Sequence, residues 1–172
     1  MTYREAAVRR AKTFIGVTEH PPGSNRGAHI DKWNMDACGM VGVFWCASFI
    51  HGMFKDVGKV LPGGASVGAI RAWAASCGDV VARPRRGDLA CFEFGEGAYA
   101  YDDHIGIVER TLALRWSGNK FTGLIRTIEG NTSSGALGSQ FNGGGVYRRT
   151  RWVRGIGAQF VRIPGNQPPL KK

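Results

Sequence analysis

Cys46, His104 and Glu129 carry the side chains of nucleophilic amide chemistry. A thiol attacks a carbonyl as its thiolate, and a helix N-terminus favours that anion through its unpaired N–H groups and dipole. The segment FWCASF, Phe44 to Phe49, puts Cys46 in the first turn of a predicted helix. His104 follows Asp102 and Asp103 in DDHIGIVE, at the mouth of an apolar strand, where an imidazole can face a cleft instead of the core. Glu129 ends another strand in TIEGNTS, with Asn131 two residues later. Strand period puts both side chains on one face if the chain stays extended. A carboxylate or amide so placed can hold the imidazole in one tautomer and stabilise the imidazolium. Each residue alone also has an ordinary reading: a buried apolar cysteine, a satisfied histidine, a salt-bridged glutamate, a turn asparagine.

The elements that must position these groups are legible as periods. Thr2 and Glu5 form a capping-box pattern, after which Ala7, Val8, Ala11, Phe14 and Ile15 share one helical face up to Gly16. From Val17 to His29 the chain is rich in Pro, Gly, Ser and Asn and reads as a long ordered loop. A second helix is predicted from about Trp45 through Lys55, with Ala47, Ile50 and Phe54 inward and Gly58 beyond its end. A third begins near Ser66, turns Val67, Ile70, Ala74 and Trp73 inward, and ends before Gly78. The second half changes to strand behaviour at Asp88 to Phe94, His104 to Glu109, Leu124 to Glu129 and Val146 to Arg151. Further strands are expected at Leu112 to Trp116 and Gln159 to Ile163, and Gly143 to Gly145 reads as a turn between strands. Helices first and strands after predict an α+β fold with N-terminal helices packed on a C-terminal antiparallel sheet.

The length of 172 residues suits one domain, expected over 1–163, with 164–172 as a disordered tail or linker stub. Lys and Arg total 23 against 13 Asp and Glu, a net charge of +10, which fits an anionic partner without choosing among nucleic acid, lipid and cell wall. Arg148, Arg149, Arg151, Arg154 and Arg162 concentrate positive charge near the C-terminus, either to attract such a partner or to protect strand edges. Cys38, Cys46, Cys77 and Cys91 contain no C-x-x-C pair, which excludes a zinc ribbon or a thioredoxin-like motif. The N-terminus has no signal-peptide pattern and no stretch approaches ~20 apolar residues, so the expectation is synthesis in the cytoplasm without membrane insertion. The thiols are then expected free, with at least three of the four buried. A nucleic-acid-binding protein is the reading from another class, but no recognition helix, zinc spacing or RNP-type aromatic motif supports it.

Cys at a helix start, His at a strand start and Glu or Asn at a neighbouring strand's end follow the chain order of papain-like cysteine hydrolases. GSNRGAHIDKWN (Gly23 to Asn34), FWCASF, RRGDLACF (Arg85 to Phe92), DHIGIVE and IEGNTS together resemble the CHAP-domain cell-wall hydrolases of phage endolysins and bacterial autolysins, from about Glu19 to Arg151. The resemblance implies a papain-like α+β fold and a peptidoglycan hydrolase. The bond cut would be either that between muramic acid and L-alanine or one within the stem peptide or cross-bridge. It implies Cys46 as nucleophile, His104 as base and acid, Glu129 as its orienting partner and Asn131 as accessory polar residue. Asn25 and Trp45 are candidate substrate-binding residues. The expected partners are peptidoglycan and anionic wall polymers; no cofactor, nucleic acid or second subunit is expected, and the chain would act at the wall. An NlpC-type endopeptidase or a secreted amidase toxin would use the same residues. Two features depart from the pattern. Phe44 stands where many members have Pro, and CGMVGVFW (Cys38 to Trp45) lacks the acidic residues of calcium-binding members. Asp31, Asn34 and Asp36 do not have EF-hand spacing, so no metal is expected.

Overall fold

The computed structural model describes residues 1–77, 80–94, 103–117, 120–135, 143–154 and 158–165. Among these described residues four helices come first: α1 (Tyr3–Lys12), α2 (Ala28–Cys38), α3 (Cys46–Lys55) and α4 (Val67–Ser76). Five strands follow: β1 (Leu89–Phe92), β2 (His104–Ser117), β3 (Lys120–Thr132), β4 (Gly145–Arg154) and β5 (Ala158–Val161). All pairings are antiparallel, in the order β4-β3-β2-β1-β5. The fold is therefore α+β, with helices from the N-terminal half and a sheet from the C-terminal half.

α1 begins with the expected reciprocal cap: Thr2 accepts from the Glu5 N–H and Glu5 accepts from the Thr2 N–H at 2.8 Å. The α-helix ends at Lys12, earlier than the periodicity suggested, and the turn to Gly16 still delivers Phe14 to the core. α2 was not anticipated. It starts inside the segment read as loop, and its buried Ile30, Trp33 and Asn34 follow helical spacing up to a left-handed Gly39. Its N-cap, Gly27, offers no side chain to the first turn, so the start signal was missing from the sequence.

α3 is the central helix. Every residue from Cys46 to Phe54 is buried, and it packs on β2 and β3 with α1 and α2 beside it. Gly130 makes the approach to β3 possible, since a Cβ there would stand 2.7 Å from Phe49 Cβ and 2.8 Å from Trp45 Cζ3. The segments predicted at His104 to Glu109 and Leu112 to Trp116 are one strand, β2. Register shifts against β3 between Val108 and Arg110 and between Thr111 and Ala113 interrupt the alternation that would have joined them. Alternate residues of β1 serve two cores: Leu89 and Cys91 join the cluster under the helices, while Ala90 and Phe92 join Val108, Ile125, Val153 and Phe160 in a second cluster.

All four cysteines are free, but Cys38 and Cys77 are exposed, so two rather than three or more are buried. Cys38 ends α2, where its Sγ contacts the Asn34 carbonyl at 3.3 Å, and Cys77 caps α4. A helix end turned from the core exposes even an apolar thiol. Gly145 opens β4, and Gly143 donates its N–H to the Asn131 carbonyl at 3.0 Å. Of the expected tail, 166–172 lies outside the described residues. No helix among the described residues is long and apolar enough to cross a membrane.

Candidate active site

Cys46 is the first residue of α3, after Trp45, and no side chain caps this helix start. Helix geometry leaves the first N–H groups without intrahelical acceptors, so they are directed toward whatever meets the thiol. Cys46 is 7 % exposed, the one member of the group with an opening to solvent, whereas His104 and Glu129 are wholly buried. Trp45, expected to contact substrate, is wholly buried too. Its indole N–H donates to Glu19 at 2.9 Å and its ring stacks on Trp33, so it anchors the helix start instead. Phe44, one residue earlier, is half exposed.

His104 opens β2 opposite Phe92, and its ring lies beside Phe92 and Phe94 with centroids 6.2 and 5.9 Å away. Its Nε2 meets Glu129 Oε2 at 2.9 Å. Nδ1 is buried without a well-formed hydrogen bond, yet the Cys46 thiol is close enough to act on the ring. A contact not fully aligned in the free protein is common where the bond tightens only with substrate. Burial pushes the imidazole pKa down, but hydrogen bonding with Cys46 and Glu129, and then their negative charge, raise it to about 9.

Glu129 is held from several sides. Thr127 Oγ1 donates to Oε1, Arg151 Nε donates to Oε1 at 2.9 Å, and Arg151 Nη2 and His104 Nε2 converge on Oε2. Burial favours the neutral acid, but hydrogen bonds from Arg151 and His104, and their charge, lower the pKa to about 2. The carboxylate reaches this position across Gly106, where a Cβ would stand 2.6 Å from Glu129 Cγ.

The structure thus brings Cys46, His104 and Glu129 together. Asn131 does not continue the strand: it has a φ of 54° in the register shift between Glu129 and Thr132, so the extended chain that would align it with Glu129 is absent. Its amide is buried and finds no hydrogen-bond partner among the described residues. Asn25, half-buried with a φ of 56°, is a loop-shaping residue whose Oδ1 is also buried without a partner. Asp31 is paired with Arg26, and Asp36 with Lys32 and Lys55. No group of three or more His, Cys, Asp or Glu placed to hold a metal occurs among the described residues.

Sequence reasoning missed Thr127 and Arg151. Thr127 was discoverable, two residues before Glu129 on the same strand face. Arg151 was not, because it pairs opposite Ile125 and reaches Glu129 diagonally, which depends on the β3–β4 register. Comparison with family models, with curated proteins and with solved structures finds no match for the chain. Fold and site by themselves describe an α+β protein with a thiol in the first turn of a helix beside a buried imidazole that is hydrogen-bonded to a carboxylate.

Proposed function

We propose that the chain is a cysteine-dependent peptidoglycan hydrolase of the CHAP type, made in the cytoplasm and acting on an amide bond of the bacterial cell wall. The observation that supports this reading most is the His104–Glu129 contact at 2.9 Å with the Cys46 thiol acting on the same ring. An imidazole between a carboxylate and a thiol in the first turn of a helix is arranged for acyl transfer. The thiolate adds to the scissile carbonyl, and the oxyanion is received by the Cys46 N–H at the uncapped start of α3. Imidazolium His104 then gives its proton to the departing amine as the C–N bond breaks, leaving a thioester on Cys46. Water, losing a proton to His104, hydrolyses the thioester and restores the thiol. The motif resemblance supplies the substrate, and the net charge of +10 suits an anionic wall.

Digestion of purified sacculi, followed by mass spectrometry of the fragments, tests the proposal and distinguishes a muramoyl-alanine amidase from an endopeptidase. Cys46→Ser should lower the rate by at least about a thousandfold with the fold intact, and a residual rate within about tenfold of the parent would end the proposal. Glu129→Gln should lose less than His104→Ala, since it disturbs orientation and charge rather than the proton carrier itself.

A further inference from the structure

Arg151 stands behind the catalytic group rather than in it. Its guanidinium grips both carboxylate oxygens of Glu129, with Nε to Oε1 at 2.9 Å and Nη2 to Oε2. The same guanidinium lies over the rings of Phe92 and Phe94, at 5.4 and 5.3 Å, and those rings also flank His104. On its outer side Arg151 lines a cavity of about 590 Å³ with Phe92, Phe94 and Val153, while Glu129 behind it has no exposure. The nearby Arg149 donates to the Ser133 and Gly135 carbonyls, and its charge also acts on Glu129 and Arg151.

A buried carboxylate needs a counter-charge, and charges inside a protein are tolerated in pairs. If His104 alone supplied that charge to Glu129, moving the Cys46 proton to the ring would leave three charged groups and a net negative site. With Arg151 present, the S–H bond breaks, an Nδ1–H bond forms, and these four groups make two ion pairs, while the Arg149 charge also acts on Glu129. We propose that Arg151 is a positioning residue that neutralises Glu129, so that Cys46 and His104 can form their own ion pair inside the protein. The inference rests on the catalytic reading of Cys46, His104 and Glu129 but not on the substrate.

Alkylation by iodoacetamide reads the thiolate without any cell wall, and exposed Cys38 serves as an internal reference in the same sample. Peptide mass spectrometry of the full chain at neutral pH should show the Cys46-to-Cys38 rate ratio falling about tenfold or more in Arg151→Met. Arg151→Lys should retain most of the ratio, because it keeps the charge. Added guanidinium ion, below denaturing concentrations, should partly restore the Met variant through the adjoining cavity. A folded Met variant with a ratio within about twofold of the parent overturns the proposal. If Arg151→Met does not fold, Arg151→Gln against Arg151→Lys carries the comparison, and equal ratios overturn it. A thiol that responds to Arg151 in a protein inert toward sacculi would sink the hydrolase reading alone. An active hydrolase whose thiol ignores Arg151 would sink this inference alone.

Discussion

Glu129 and His104 displace each other's proton equilibria in opposite directions, and pH should reveal it. His104 is raised from 6.5 to about 9, so its pairing stabilises the fold fully below 6.5 and is lost as pH rises through 9. Glu129 is lowered from 4.5 to about 2, so its contribution is present above 4.5 and is lost as pH falls through 2. The melting-temperature gap between the parent and Glu129→Gln should therefore narrow as pH is raised from 7 past 9. A gap that widens over that interval would contradict the pairing. The same titration should give hydrolysis an alkaline limb near 9, as the acid that protonates the leaving amine disappears.

Two glycines set how closely the elements of the site approach. Gly130 lets α3 settle on β3, and Gly130→Ala should cost about 1–3 kcal/mol in urea denaturation, since Phe49 and Trp45 are core side chains with little room to yield. Gly106 instead faces the Glu129 side chain, and a methyl group there would displace the carboxylate from His104. Gly106→Ala should thus reduce kcat by up to about a hundredfold, as misplacing a catalytic partner by roughly an ångström can. Unchanged kcat in a folded Gly106→Ala protein would show that Glu129 does not orient the ring.

Across the molecule, several C-terminal arginines turn out to be internal partners. Arg148 pairs with Glu109 at 3.0 Å, Arg151 with Glu129, and Arg162 with Asp88 through contacts at 2.9 and 2.7 Å. Asp88 is wholly buried and also accepts from the Arg85 N–H at 2.8 Å, so it ties the entry to β1 to the segment leaving β5. Asp88→Asn should cost about 2–3 kcal/mol in urea denaturation, below the full loss of a buried pair because Arg162 keeps contact with solvent. A loss under about 0.5 kcal/mol would reduce the pair to a surface contact. The proposed attraction to an anionic wall would then draw largely on cations other than these three.

The sequence by itself determined the α+β layout, the α1 cap, the position of Cys46 at a helix start and of His104 at a strand start. Those are local properties, set by period, capping chemistry and turn residues within a few positions of one another. It misjudged α2, whose glycine cap carries no side-chain signal, and the direction of Asn131, whose φ of 54° breaks the strand's alternation. Only the tertiary structure decided that Glu129 meets His104, that Arg151 meets Glu129 and that Trp45 faces inward. Each of these depends on how strands distant in sequence register and on how α3 lies over them, and a shift of one residue turns every side chain to the opposite face.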